Sequence, residues 1–131
     1  MCVPGALSGL ARPRAGPSGQ GYDPPMAAEN KPSPVYELIP KLGQLRDEVL
    51  FGDVWEGPEL SKRDRSLITV ATLTALYRTE ELKLHMQRAL DHGVTEDEIK
   101  GLITHLAFYA GWPNAVNAGR VALEVFDDAE D

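Results

Sequence analysis

Residues 61–93, SKRDRSLITVATLTALYRTEELKLHMQRALDHG, carry the clearest structural signals in the chain. Ser61, followed three residues later by an aspartate, is typical of a helix N-terminus. Thr79 and the two glutamates after it indicate a second helix start, because acidic side chains suit the positive end of a helix dipole. Gly93 is typical of the residue that follows a helix. The stretch therefore predicts two consecutive helices, the first apolar on most sides and hence central.

The flanking sequence continues the helical pattern. Downstream, Thr95-x-x-Glu98 is a capping box that predicts a helix running to Gly111, and Pro113 fits the first turn of a last helix. No segment alternates with a period of two, so the predicted class is all-α, a small bundle of about five to six helices. Upstream, a first helix ending near Gly52 is predicted from one apolar face, made of Leu38, Leu42, Leu45 and Val49.

Residues 1–34 differ in composition from the rest of the chain. They hold seven of the ten prolines and five of the twelve glycines, with few large apolar side chains. Such a composition buries too little apolar area to offset the entropy of ordering. We therefore expect residues 1–34 to form a disordered extension and residues 35–131 to form one helical domain.

The bulk composition argues against several classes of protein. A net charge of −7 does not suit a phosphate backbone, which needs a basic face. The single cysteine, Cys2, cannot form an internal disulfide, a Cys-x-x-Cys pair or a thiolate metal site. No apolar run approaches the ~20 residues that cross a bilayer, and no long apolar secretory signal is visible. We expect no nucleic-acid partner, no membrane association, no metal and a cytoplasmic location.

The helix predicted to start at Thr79 carries the clearest candidate for chemistry. His85 falls on the apolar stripe of this helix and is expected to face inward. Glu81 precedes it by one turn, close enough for the carboxylate to orient the imidazole and hold its charged form. The two residues could act as an acid/base pair, although a satisfied core histidine beside a solvated glutamate fits the same pattern. The stripe consists of Leu82, Met86, Ala89 and Leu90.

The other two histidines are expected to have lesser roles. His92 lies beside a helix-closing glycine, where a cation complements the carbonyl end of the helix. His105 lies on a different arc from the apolar residues of its helix and is expected at the surface or an interface. A metal site built from His85, His92 and Glu81 is conceivable, but the spacing of the two histidines is a weak signal for one.

Five segments, taken together over about residues 36–126, resemble the carboxymuconolactone decarboxylase family. That family is similar in fold to alkyl hydroperoxidase D, whose active site resembles a glutamate followed by Cys-x-x-Cys and a histidine. Only the histidine has a counterpart here, at His85, while Arg78 and Glu81 stand at the cysteine positions and Ser66 at the glutamate position. Thiol peroxidase chemistry is therefore not expected. The segments are FGDVW (51–55), LSKRDRSL (60–67), ELKLH (81–85), GVTEDEI (93–99) and YAGWPNA (109–115).

The resemblance implies a cofactor-free decarboxylase that converts 4-carboxymuconolactone, or a related carboxylated lactone, to the enol-lactone in aromatic acid catabolism. A carboxylate that leaves from the carbon gamma to an unsaturated lactone carbonyl can push its electrons into that carbonyl. The substrate then supplies its own electron sink, and no cofactor is required. The protein must hold carboxylates, stabilise the dienolate oxygen and return a proton to carbon.

With that resemblance, His85 is the expected proton donor and Glu81 the residue that orients it. Arg65, one turn into its helix, is the first choice for anchoring a carboxylate. A solvated basic turn paired with Asp64 and nearby acids explains the same arginine without a ligand. Tryptophans beside Gly-Pro or before proline are often packing plugs, but they could also wall a pocket. The further candidates for substrate binding are Arg78, Arg63, Trp55 and Trp112.

Two alternatives remain open. One is a different lyase, a hydrolase or an isomerase that uses Glu81 and His85 on the same fold. The other is a non-catalytic, oligomeric binding or scaffold protein. Phe108, Tyr109 and Trp112 add apolar area that a domain of this size struggles to cover. We therefore expect a homo-oligomer, and the resemblance suggests a trimer or hexamer.

Overall fold

A computed structural model describes residues 33–130. Throughout that range the regular structure is helical and no strand is formed, so the predicted all-α class is confirmed. Most of the predicted extension, residues 1–32, lies outside the described residues. The chain divides into two compact units, residues 1–59 and 60–131. The prediction of a single domain over residues 35–131 stays a prediction.

The first unit begins, in its described part, with two short helices. These are α1 (Val35–Leu38) and α2 (Pro40–Leu45), and the chain continues as a π-helical turn at Arg46–Leu50. The prediction of one uninterrupted helix was wrong, because Ile39 leaves the helical conformation with φ −125° and ψ 78°. The residue before a proline is disfavoured in the α region, and Pro40 therefore starts a new helix.

The apolar side chains of this unit line an open groove. Arg46 also lines this groove. Its guanidinium carbon lies 4.1 Å from the centre of the Tyr36 ring, and its Nε lies 2.9 Å from the Asp47 carboxylate. These contacts tie α1 to the π-helical turn. The residues that line the groove are Tyr36, Leu42, Leu45, Arg46, Val49, Leu50 and Val54.

The second unit contains four helices. α3 packs against the other three helices, as expected of a central helix, and α6 also packs against α4 and α5. α3 and α4 form an antiparallel hairpin, since a short turn joins them and the start of α3 bonds to the end of α4. The helices are α3 (Lys62–Ala75), α4 (Thr79–Asp91), α5 (Glu96–Tyr109) and α6 (Trp112–Glu130).

The face that α3 buries is more polar than its sequence suggests. Its fully buried residues are Ser66, Val70 and Thr74, whereas Ile68 and Leu76 are exposed. The Thr74 hydroxyl donates to the Val70 carbonyl oxygen at 2.8 Å, which avoids the cost of an unsatisfied buried hydroxyl. The core that surrounds this face consists of Val70, Leu82, Met86, Ala89, Val94, Ile99, Ala118, Val121, Ala122 and Val125.

The predicted helix starts at Ser61 and Thr95 are confirmed. The Asp64 N–H donates to the Ser61 hydroxyl at 3.0 Å. At α5 the capping box is complete, because the Glu98 N–H donates to the Thr95 hydroxyl at 3.0 Å and the Thr95 N–H donates to the Glu98 carboxylate at 2.9 Å. Glu98 also forms an ion pair with Arg63, which ties the start of α5 to the start of α3.

We expect Thr95→Ala to lower the free energy of unfolding by about 1 kcal/mol, because it leaves a helix-terminal N–H without its acceptor. Urea unfolding followed by circular dichroism measures the change. Thr104→Ala is the matched control, since the Thr104 hydroxyl bonds only to a carbonyl within α5 and alanine favours a helix interior. Equal destabilisation by both substitutions would contradict the capping role.

Candidate active site

The end of α4 is fixed by backbone geometry. Gly93 has φ +96°, a left-handed conformation that glycine adopts without strain. The Val94 N–H donates to the Ala89 carbonyl at 2.9 Å, and the His92 N–H donates to the Arg88 carbonyl at 2.9 Å. His92 is therefore the C-cap residue, and its position at the end of α4 is set by the main chain.

The His92 side chain pairs with the beginning of α3. Its Nδ1 lies 2.8 Å from the hydroxyl oxygen of Ser66, which is fully buried. Sequence reasoning expected only a capping role for His92 and missed this pair. A spacing of 26 residues carries no periodic signal that would reveal it. The one available signal was that Ser66 stands at the position of the glutamate in the related peroxidase site.

His85 lies two turns before His92 on α4, and most of its ring is shielded from solvent. Its Nδ1 is buried and has no hydrogen-bond partner among the described residues. Burial, followed by the positive charges of Arg88 and His92, lowers the pKa of His85 from 6.5 to about 4. The imidazole of His85 is therefore neutral at physiological pH.

Glu81 is not among the groups that shift the pKa of His85. Its side chain is exposed in the first turn of α4, and the charges that act on His85 are positive. The expectation that Glu81 holds His85 in its charged form was wrong, because the pKa of His85 moves the other way. Burial of the ring outweighs a carboxylate that points into water.

The three candidate arginines occupy different surroundings. Arg65 is half-buried, and its Nε is shielded from solvent in the residue just before Ser66. Arg63 pairs with Glu98 and lies 3.7 Å from a carboxylate oxygen of Asp64, so its guanidinium links helices. Arg78 is exposed at the N-cap position of α4 and donates to the Leu76 carbonyl at 3.4 Å.

The aromatic candidates are distributed over both units. In the first unit, Trp55 is half-buried with its ring 6.2 Å from that of Phe51. In the second unit, Trp112 is 64% exposed at the start of α6 and contacts Phe108 edge to face at 6.1 Å. His105 is exposed and stacks on Tyr109 at 4.7 Å, so its predicted surface position is confirmed.

We call His85, Arg88, His92 and Ser66 the basic cluster. It gathers two imidazoles and a guanidinium on one helix, and a buried hydroxyl fixes one of the imidazoles. Such an arrangement can bind an anion and exchange a proton with it. Between residues 33 and 130, no three His, Cys, Asp or Glu side chains are grouped to hold a metal ion. No helix in the same range is long and apolar enough to cross a membrane.

Known proteins resemble this chain over most of its described length. A family model described as the carboxymuconolactone decarboxylase family matches residues 40–124. The chain is 46% identical over 78 residues to a 4-carboxymuconolactone decarboxylase of Acinetobacter baylyi, a match covering 60% of this chain and 58% of the relative. It is 35% identical over 88 residues to the nitrosuccinic acid decarboxylase npaB of Metarhizium robertsii, covering 67% and 62%. The chain thus spans about three fifths of the length of these curated relatives.

Proposed function

The chain belongs to the carboxymuconolactone decarboxylase family, and from this premise we propose that it is a carboxy-lyase acting on 4-carboxymuconolactone or a related carboxylated lactone. The observation that carries the proposal is the basic cluster, in which a neutral, shielded imidazole lies beside positive charges. An acidic chain with a net charge of −7 needs such a local cluster to attract an anionic substrate. The 46% identity to a relative with that activity supports the same substrate class.

The proposed reaction breaks the bond between a ring carbon and its carboxylate. Carbon dioxide leaves, and the electron pair moves through the ring double bond onto the lactone carbonyl oxygen, giving a dienolate. A proton from the protein is then added to carbon, and solvent restores the proton that the protein donated. Positive groups near the carbonyl oxygen stabilise the negative charge that develops there.

We assign the proton transfer to His85. A neutral imidazole must first gain a proton before it can serve as an acid, and a nearby substrate carboxylate favours that charged form. Arg65 is proposed to hold a second carboxylate, because a guanidinium forms paired hydrogen bonds with carboxylate oxygens. Glu81 is proposed to orient His85 only in the substrate complex, since the unliganded geometry leaves it in solvent. Arg78, Arg63, Trp55 and Trp112 remain secondary candidates for contact with the substrate.

We expect the purified full chain to release one carbon dioxide per molecule of 4-carboxymuconolactone consumed, with the enol-lactone as product. Infrared or coupled detection of carbon dioxide, together with chromatography of the lactones, measures both. Nitrosuccinic acid, the acid named for the fungal relative, is the second substrate to test. Release from nitrosuccinic acid alone would correct the substrate, whereas no release from either acid at mildly acid to mildly alkaline pH would overturn the lyase proposal.

We also propose that the chain acts as a homo-oligomer, a trimer or a hexamer. The Asn114 side-chain amide donates to the Ala75 carbonyl at 3.2 Å, which brings the start of α6 to the end of α3. Large apolar side chains stay exposed around this junction, more than an isolated unit normally shows. Tyr77 also holds a left-handed conformation, φ 59°, which is unfavourable for a side chain of its size. The exposed residues are Leu76, Tyr77, Phe108, Tyr109 and Trp112.

A further inference from the structure

Two uncharged segments meet at one end of the second unit. No Asp, Glu, Lys or Arg occurs in residues 66–77 or in residues 101–119, although 25% of the whole chain is charged. The Asn114 side-chain amide donates to the Ala75 carbonyl at 3.2 Å and to the Ala110 carbonyl at 3.0 Å. These two bonds bring together the end of α3, the end of α5 and the start of α6.

Large apolar side chains extend from this junction along the outer side of α3. Ile68 and Leu76 lie about two turns apart, which places them on the same side of the helix. Phe108 and Trp112 contact each other edge to face, with ring centres 6.1 Å apart. We call this exposed set the junction surface, and it consists of Ile68, Leu76, Tyr77, Phe108, Tyr109 and Trp112.

The hydroxyl groups beside these apolar residues on α3 are satisfied within the helix. The Thr69 hydroxyl donates to the Arg65 carbonyl, and the Thr72 hydroxyl donates to the Ile68 carbonyl, both at 2.8 Å. When the outer side of α3 is covered, these donors therefore keep their acceptors. The side of α3 that faces away from the core can lose its water without leaving a hydroxyl donor unsatisfied.

Tyr77 holds an unfavourable backbone conformation within the junction surface. Its φ is 59°, and the Arg78 N–H donates to the Leu73 carbonyl at 2.9 Å. This is the pattern that a glycine usually closes at the end of a helix. A tyrosine in that position costs free energy, yet its side chain remains 58% exposed. A contact that covers the ring would offset this cost.

The area of the junction surface approaches what a stable interface needs. Its four aromatic side chains are between 58% and 79% exposed, and together they present roughly 500 Å². Ile68 and Leu76 add to this area, whereas a standard interface takes about 800 Å² from each partner. Interfaces between identical chains are also the more apolar ones. Since the surface carries no charge, two copies with a net charge of −7 can meet there without like charges at the contact.

We propose that the junction surface packs against the same surface of a second copy of this chain, about a two-fold axis. A two-fold contact pairs a surface with itself, so one uncharged surface is sufficient. The inference rests on the homo-oligomer of the proposed function and is independent of the lyase reaction. Because a dimer of trimers contains two-fold contacts and a single trimer does not, the hexamer is favoured over the trimer.

The test compares the mass of the full chain with that of Phe108→Glu by sedimentation at a series of concentrations. Phe108 is 76% exposed, so the substitution should leave the fold intact. It places a negative charge from each copy at the same contact. We expect the mass of the assembly to fall to half and the association to weaken by roughly 30-fold or more.

Leu123→Glu is the matched control. Leu123 is 66% exposed on the same unit, about three turns after the start of α6, and its substitution should leave the mass unchanged. Equal dissociation by both substitutions would overturn the junction surface, as would an assembly that Phe108→Glu leaves intact. The homo-oligomer would survive both of these results, whereas an unsubstituted chain that stays monomeric would overturn the homo-oligomer as well. None of these outcomes depends on carbon dioxide release.

Hydroxyl-radical footprinting of the unsubstituted chain decides the matter if Phe108→Glu does not fold. We expect Tyr77, Phe108 and Tyr109 to lose reactivity as the concentration of the chain rises, while Leu123 keeps its reactivity. Low reactivity of the three aromatic residues in a monomeric chain would mean that the chain covers this surface itself. Reactivity that stays high in the assembled chain would place the contact elsewhere. Either result would overturn the proposal.

Tyr77→Gly separates the contact from the fold. Glycine adopts a left-handed conformation without strain, so the substitution should raise the free energy of unfolding of the dissociated Phe108→Glu protein. In the otherwise unsubstituted chain, the same substitution removes a ring from the contact and should weaken the assembly. A stabilised protein whose assembly is unchanged would exclude Tyr77 from the interface.

Discussion

We expect His85→Gln to lower the turnover of 4-carboxymuconolactone, the proposed substrate, by roughly a hundredfold or more, the usual contribution of a positioned proton donor. Glutamine retains a polar side chain of similar length but cannot take up and release a proton near neutral pH. The substitution should act mainly on kcat, because the proton is transferred in the transition state and not in the ground-state complex. Carbon dioxide release measured at saturating substrate gives this value directly.

His105→Gln is the control for that experiment. The same chemical change is then made on the exposed face of α5, where the ring only stacks on Tyr109. We expect full activity from this variant. Undiminished kcat in His85→Gln would exclude His85 as the proton donor. An inactive unsubstituted chain that still assembles would instead favour the binding or scaffold alternative.

The free energy of unfolding is expected to fall by on the order of 3 kcal/mol as the pH drops from 6.5 towards 4, through His85 alone. The pKa of His85 is lowered to about 4 in the folded chain, whereas the unfolded chain keeps the ordinary value of 6.5. Between pH 4 and pH 6.5, the unfolded state binds a proton at His85 that the folded state does not bind. The contribution is therefore complete above pH 6.5, is lost as the pH falls and levels off below about 4.

Urea unfolding at a series of pH values measures this dependence in the unsubstituted chain and in His85→Gln. The glutamine variant should show a flatter profile, because position 85 no longer titrates. The most informative range lies above pH 4.5, where Glu98 does not add a pH dependence of its own. The pKa of Glu98 is lowered from its ordinary value of 4.5, so the contribution of Glu98 to the free energy of unfolding is lost only below that pH. Parallel profiles for the two proteins would mean that His85 titrates normally in the folded chain.

Local sequence signals account for most of the second unit. Caps at Ser61 and Thr95 mark two helix starts, and Gly93 marks a helix end, because each acts on backbone groups within four residues. In the first unit, the spacing of the apolar residues predicted one helix that continued through Pro40, and this prediction was wrong. The restriction that proline places on Ile39 was the stronger local effect.

For the site, the positions of His85 on the buried side of α4 and of Arg65 near the start of α3 could be predicted from sequence alone. The bond between Ser66 and His92, the ion pair between Arg63 and Glu98 and the effect of Arg88 on His85 depend on the packing of the helices and became visible only in the structure. The pKa of His85 is lowered by burial, whereas the sequence predicted that Glu81 would stabilise its charged form. The physical reason is that helix starts and ends depend on neighbours along the chain, whereas desolvation and side-chain pairing depend on which helices pack together.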